Sequence, residues 1–320
     1  MRNAFADEIT ALADQDPRIV LLSGDIGNRL FNDFKDRHPD RFYNVGVAEA
    51  DMIGIAAGLA LQGLKPVAYT IASFAVYRAY EQIRVDLCYL KQPVVIVGVG
   101  SGLGYAANGP THHSCEDLAV LRALPGMTVL SPADAWELRS LLGSAVNLSG
   151  PSYIRIGKKG EPTVHAEQPG LTIGTAFPLR QGSDIALLGT GTLLPIVLET
   201  ADRLQQRGIS AAVYSVHTVK PLDEHLLAEV FRNTKLVVTI EEHSRIGGLG
   251  GAVAEWRADQ VCPGARLLRF GTPDEILHHT GEQEHARHAA GLTPERLSQD
   301  IDSAWEQSQT DSDTSNRISP

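Results

Sequence analysis

The sequence predicts an α/β protein of two domains, each a mostly parallel sheet flanked by helices. Three observations carry this. Short apolar runs without a polar face recur between helical segments along the chain, and such runs fit strands covered on both sides. A length of 320 residues is too great for one comfortable core. The chain also changes character at residues 157–182, where Lys158, Lys159, Pro162, Pro169 and several glycines interrupt all periodicity.

The elements follow in order. Residues 3–13 have Phe5, Ile9 and Leu12 on one helical face. Apolar runs at 19–23, 66–69, 93–99, 128–130 and 153–156 read as buried strands, with amphipathic helices between them. Residues 42–47 lean towards strand and run into Glu49, which opens a small-residue helix over 52–61 containing Gly54, Ala56, Ala57 and Gly58. A second alternation begins at 184–191, a strand and turn. A helix over 195–207 starts with Pro195 and stops at Gly208. Strands are expected at 211–215, 236–240 and 266–270, and a helix over 223–231. The domains are thus 1–160 and 183–306, joined by a linker over 161–182. The polar, Ser/Thr/Asp-rich residues 307–320 read as a disordered tail.

Composition narrows the function. Apolar content of 43% and charged content of 21% are ordinary for a soluble globular chain. A net charge of −10 argues against nucleic acid, whose phosphates require Lys and Arg. No apolar run reaches membrane-spanning length, and the N-terminal residues lack the apolar core of a signal peptide. Cys88, Cys115 and Cys262 are scattered and odd in number, with neither disulfide nor zinc spacing. A reduced, cytoplasmic setting is the expectation.

Several stretches bear chemistry. Tyr43-Asn44-Val45-Gly46-Val47-Ala48-Glu49-Ala50-Asp51 sets a carboxylate at a strand-to-helix junction. Ser73-Phe74-Ala75-Val76-Tyr77-Arg78 places aromatics near a helix end, and Gly109-Pro110-Thr111-His112-His113-Ser114 brings a histidine pair. Downstream lie Ser131-Pro132-Ala133-Asp134, Lys220-Pro221-Leu222-Asp223 and Glu241-Glu242-His243 followed by a glycine cluster. That cluster lacks the G-x-G-x-x-G order and the strand-to-helix phosphate turn of a dinucleotide site. In this order and spacing, over most of residues 1–305, the chain resembles the transketolase family of thiamine diphosphate enzymes. The first half resembles its pyrimidine-binding domain and the second its C-terminal domain.

The resemblance implies roles. Glu49 would bond a pyrimidine nitrogen of thiamine diphosphate and favour the tautomer that activates the thiazolium. Phe74 and Tyr77 would wall the ring, with Ile71 where the family often has a further aromatic, and Asp25 would contact the cofactor. His112, with His113 beside it, would face the substrate, as would Asn108. Arg155, Arg2 and Arg29 would meet an anionic sugar. Six have a structural alternative: a carboxylate favouring a helix N-terminus for Glu49, core packing for Phe74, a turn for Asp25, a plain loop for His112 and surface solvation for Arg2 and Arg29. Two positions depart from sugar transketolases: Asn108 replaces an aspartate and Gly100 a histidine.

The Gly-Asp-Gly motif that binds diphosphate and a divalent metal is absent: Gly24-Asp25-Ile26 breaks it, and Gly182-Ser183-Asp184 does not match. The expectation is a split enzyme, with this chain as its C-terminal subunit. A separate N-terminal subunit would hold the diphosphate and Mg2+ in a heterotetramer with two copies of each chain. The reaction implied is transfer of a two-carbon ketol unit between sugars. A 1-deoxyxylulose-5-phosphate synthase-like condensation, the beta subunit of a 2-oxoacid dehydrogenase and a non-catalytic partner-binding subunit remain open.

Overall fold

The computed structural model describes residues 1–316 apart from Asn28, Cys262, Pro263, His279 and Thr280, with side chains to Ser308. Cys262 and residues 317–320 of the expected tail therefore lie outside the described residues.

In the first half, α1 (Arg2–Gln15), β1 (Ile19–Ser23), α2 (Asn32–Arg37), β2 (Phe42–Asn44), α3 (Glu49–Leu61), β3 (Lys65–Ile71), α4 (Ala72–Tyr77) and α5 (Tyr80–Gln82) follow in order. A π-helical segment, Ile83–Tyr89, leads to β4 (Val95–Val99), α6 (Asp117–Arg122), β5 (Thr128–Leu130), α7 (Ala135–Ala145) and β6 (Ser152–Ile156). Every residue of β1, β4 and β6 is buried, as strands without a polar face require. The expected strand over 42–47 is shorter. Asn44 ends it by accepting the Gly46 N–H, and Gly46 takes a φ of +73° that turns the chain towards α3.

The second half holds β7 (Phe177–Arg180), β8 (Ile185–Gly189), α8 (Leu194–Gln206), β9 (Ala211–Ser215), β10 (Thr218–Lys220), α9 (Glu224–Asn233), β11 (Leu236–Ser244), α10 (Leu249–Ala258), β12 (Arg266–Thr272), α11 (Gln283–Ala289) and α12 (Pro294–Asn316). The sheets are seven-stranded, β10-β5-β6-β4-β3-β1-β2, and five-stranded, β12-β11-β8-β9-β7. All neighbours run parallel except β10 with β5 and β7 with β9. Apolar cores fill both faces of each sheet.

The structure departs from or adds to the expected elements in three places. The end of the linker is a strand, β7, whose backbone pairs with the edge of β9. The strand β10 crosses from the second half to finish the first sheet. There the Lys220 ammonium donates to the carbonyls of Arg122 and Leu124 at the end of α6, at 2.8 and 2.6 Å. The helix α12 runs on through residues 307–316, where composition alone predicts an irregular tail. Its first turns pack Leu297, Ile301 and Ala304 into the core. Once that nucleus exists, each added residue gains a hydrogen bond, and Glu306 and Gln307 are good helix formers.

The glycine cluster after β11 has a structural cause. Glu241 caps α10 by accepting the N–H groups of Leu249 and Gly250, both at 2.7 Å. A Cβ on Gly248 would stand 2.1 Å from the same carboxylate.

Candidate functional site

The side chains of interest gather where the first sheet's parallel strands end, the usual binding edge of such sheets. After β1, Asp25 adopts a φ of +58° and is exposed. It accepts a 2.9 Å hydrogen bond from Asn44 Nδ2, tying the loop after β1 to the turn before α3. That turn delivers Glu49 as the first residue of α3, 3% exposed.

After β3, α4 carries Phe74, Tyr77 and, just past its end, Arg78. Arg78 Nη1 donates to both Glu49 oxygens at 3.3 and 3.5 Å. Its guanidinium carbon lies 3.9 Å from the Phe74 ring centre, a cation–π contact. Tyr77 turns to the loop beyond β4. Its hydroxyl donates to Glu116 at 2.8 Å, and burial followed by the nearby acids pushes its pKa up. Tyr77, Thr111, His113 and Glu116 line a cavity of about 890 Å³ together with Ile246, Thr272 and Ile276 of the second half.

The loop after β4 carries Tyr105, Asn108, His112 and His113. The His112 ring meets Phe74 edge-on at 5.0 Å and Tyr105 at 6.1 Å. One His112 nitrogen bonds Thr111 Oγ1 at 3.0 Å. Burial, then the Arg78 charge, lowers the His112 pKa, so its imidazole is neutral at pH 7. His113 is buried, its pKa is also lowered chiefly by burial, and its Nε2 has no hydrogen-bond partner among the described residues. Asn108 is exposed on the same loop.

The line continues past Tyr105. Lys158, in the segment after β6, sets its ammonium 4.8 Å from the Tyr105 ring centre. Lys158, Lys159 and Arg2 line a cavity of about 280 Å³. Contacts thus run from Glu49 through Arg78, Phe74, His112 and Tyr105 to Lys158. A buried acid stands at one end and a cationic cleft at the other.

Two arginine expectations meet different outcomes. Arg155 is 2% exposed and does not open onto the cleft. It pairs with buried Asp117 at 3.0 Å and donates to the carbonyls of Ser114 and Glu242 at 2.6 and 2.8 Å. This corrects its reading as a substrate ligand: the guanidinium is consumed inside the chain, where it joins the two halves. Arg29 is exposed in the turn before α2, and no contact among the described residues ties it to the line above.

Comparison with known proteins agrees with this geometry. Residues 1–161 match the family model "Transketolase, pyrimidine binding domain", and residues 174–297 match "Transketolase, C-terminal domain". The chain belongs to the transketolase family. Among its relatives, a subunit of the apulose-4-phosphate transketolase of Phocaeicola vulgatus is 36% identical, over 90% of this chain and 92% of the relative. A solved structure described as "Split gene transketolase, inactive beta4 tetramer" superposes with a TM-score of 0.87 at 36% identity, covering 97% of this chain and 98% of that one. The 1-deoxy-D-xylulose-5-phosphate synthase 2 of Geobacter sulfurreducens is 37% identical over 92% of this chain, which spans only 47% of that enzyme. This transketolase-family chain is a homologue of the C-terminal subunits of split transketolases, and the family is thiamine diphosphate-dependent.

Sequence reasoning misses Arg78, Tyr105 and Lys158. A signal for Tyr105 is present in Gly100, one of the two positions that the resemblance marks as departures. The Gly100 φ is +83°, and a Cβ there would lie 2.0 Å from the Tyr105 ring, so the tyrosine fills the space. Lys158 is visible as half of a basic pair, but that pair falls where periodicity stops and a plain connection between domains is expected.

Proposed function

We propose that this chain is the C-terminal subunit of a split transketolase, transferring a two-carbon ketol unit between anionic sugars with thiamine diphosphate. The observation that carries the reading is the contact line from buried Glu49 to the Lys158 cleft. When bound, the cofactor supplies a carbon nucleophile and electron sink for carbon–carbon cleavage. Its ring half fits the residues present. The guanidinium of Arg78, a flat nitrogenous group, already stacks on Phe74 and donates to Glu49. The same acceptor and the same aromatic face suit an aminopyrimidine, with Tyr77 and Asp25 at its margins.

Each residue then has a task. Glu49, shielded from water, holds or releases a proton at the ring nitrogen. His112, neutral and fixed through Thr111, uses its other ring nitrogen on a substrate hydroxyl or carbonyl oxygen. His113 and Asn108 sit on the same loop as additional polar neighbours. Lys158, Lys159 and Arg2 neutralise the substrate's phosphate. The Phocaeicola relative is named for a 4-phosphate, which supports an anionic sugar here.

The diphosphate half is assigned to another chain. Among the described residues, no three His, Cys, Asp or Glu side chains converge as metal ligands. We assign Mg2+ to an N-terminal partner subunit in a heterotetramer. Val47, just before α3, and Ile55 and Leu61 on it are 70%, 45% and 59% exposed, large apolar side chains whose exposure supports a partner there. The structural neighbour described as an inactive tetramer of beta chains supports the need for that partner. Unpaired, buried Cys88 and Cys115 suit a reducing cytoplasm. No helix among the described residues is long and apolar enough to cross a membrane.

The test is reconstitution with an N-terminal subunit, thiamine diphosphate and magnesium, following hydroxypyruvate consumption. Wild-type turnover lost in Glu49→Ala is expected. Equal rates from both proteins would refute the reading. The similarity to a 1-deoxyxylulose synthase supports a second reading, with pyruvate as donor, and consumption of pyruvate in place of hydroxypyruvate would select it.

A further inference from the structure

We infer that Glu242, in the C-terminal domain, is a positioning residue that clamps the neck of the 102–114 loop. That loop carries Asn108, His112 and His113. The inference rests on the proposed function only in taking this as the substrate loop.

The neck is narrow. An isolated bridge joins Gly102 to Ser114, with the Ser114 N–H donating to the Gly102 carbonyl at 2.8 Å. Glu242 holds both sides of it. Its carboxylate, 2% exposed, accepts the Leu103 N–H at 2.7 Å on the outgoing side. Its main-chain carbonyl accepts from Arg155 Nη2 at 2.8 Å, and the same nitrogen donates to the Ser114 carbonyl at 2.6 Å on the returning side. Two residues further, the Ser244 N–H donates to the Cys115 carbonyl at 2.7 Å.

The fit leaves no slack. Gly102 has a φ of +54°, and a Cβ there would lie 2.5 Å from the Glu242 carbonyl oxygen and 2.6 Å from its Oε1. Leu103, Ala106 and Cys115 share a small apolar core with Leu277 and Ala286 of the C-terminal domain. The clamp is itself braced. Gln283 Nε2 donates to Glu242 Oε1 at 2.8 Å, and Arg287 Nε donates to Oε2. Arg287 also reaches Thr192 Oγ1 at 3.2 Å, ahead of α8.

A buried carboxylate here needs its full set of donors. Glutamine is nearly isosteric, but it replaces one acceptor oxygen with an N–H donor that faces Arg287 or the loop backbone. Glu242→Gln should therefore loosen the neck without emptying the site.

Hydrogen exchange of the full chain tests this. Amides of 102–114 are expected to exchange about tenfold faster in Glu242→Gln, while β4 and β8 keep wild-type rates. In the reconstituted enzyme kcat is expected to fall about tenfold with little change in cofactor affinity, because His112 loses its placement. Unchanged exchange in 102–114, or an equal rise throughout both domains, overturns the inference. Should Glu242→Gln fail to fold, Gln283→Ala reads the same segment: a rise confined to 102–114 supports the clamp, and none overturns it. A wild-type enzyme without ketol transfer would instead refute the functional reading and leave the exchange result standing.

Discussion

Arg78 Nη1 lies 3.3 Å from the Glu49 carboxylate, joining a guanidinium half open to solvent to an acid that is 3% exposed. The asymmetry has a consequence. Glu49 has already given up water, whereas Arg78 can swing out when a better partner reaches the Phe74 face. A double-mutant cycle measures the pair. Arg78→Ala should destabilise the free chain by about 1–3 kcal/mol, because the buried acceptor loses its donor. Combined with Glu49→Gln, the loss should be smaller than the sum of the two single losses. Additive losses in urea unfolding would mean that the contact does not couple them.

His112 offers a second readout of Arg78. Burial is the larger cause of its lowered pKa and the Arg78 charge the smaller. Arg78→Ala should raise the His112 pKa while leaving it below the ordinary value, since burial persists. Imidazole titration of the free chain by nuclear magnetic resonance checks this. A pKa that stays put or falls contradicts the assigned cause.

Lys158 and Arg155 should separate cleanly, although they are near neighbours in the chain. Lys158→Ala is expected to raise KM for a phosphorylated acceptor about tenfold, on the order of 1.4 kcal/mol, and to leave an unphosphorylated acceptor nearly unaffected. Arg155→Ala is expected to cost about 3–5 kcal/mol of stability instead, because it strands Asp117 in the interior. Steady-state kinetics with paired acceptors and thermal unfolding give the two answers. A phosphate-specific KM effect from Arg155→Ala in a stable protein would restore a substrate-binding role to it.

The linker is pinned by a histidine and two acids. Asp134 accepts the N–H groups of Val164 and His165 at 2.8 and 3.1 Å, and the His165 ring meets Glu137 at 2.9 Å. Burial alone lowers the His165 pKa, but the Glu137 hydrogen bond and the charges of Glu137 and Asp134 outweigh it, so the pKa is raised. A raised folded pKa gives stability that is full below the unfolded value, near pH 6.5, and is lost as pH rises through the folded value. The melting temperature gap between wild type and His165→Gln should therefore be wider at about pH 6 than at about pH 8.5. A gap that grows with pH would reverse the assignment.

Much of the fold is legible locally because burial writes a period into the residues. The runs that form β1, β4 and β6 lack a polar face, and α1 has its apolar stripe. Glu49, Phe74 and His112 can be singled out because each sits in a short motif beside a strand end. The rest depends on contacts between residues distant in sequence. No local pattern tells Thr218–Lys220 to finish the other domain's sheet, or Glu242 to grip a loop at Leu103, 139 residues before it.

By itself, the sequence determined two α/β units, their order, the family motifs and the acid at the strand-to-helix junction, since these follow from residue period and from chemistry carried in short stretches. Only the tertiary structure decided that Arg155 points inward and Lys158 outward. A strand buried on both faces, such as β6, has no polar side from which a guanidinium's direction could be read. Where that charge goes is settled by its nearest carboxylate, and Asp117 arrives there from another element of the fold.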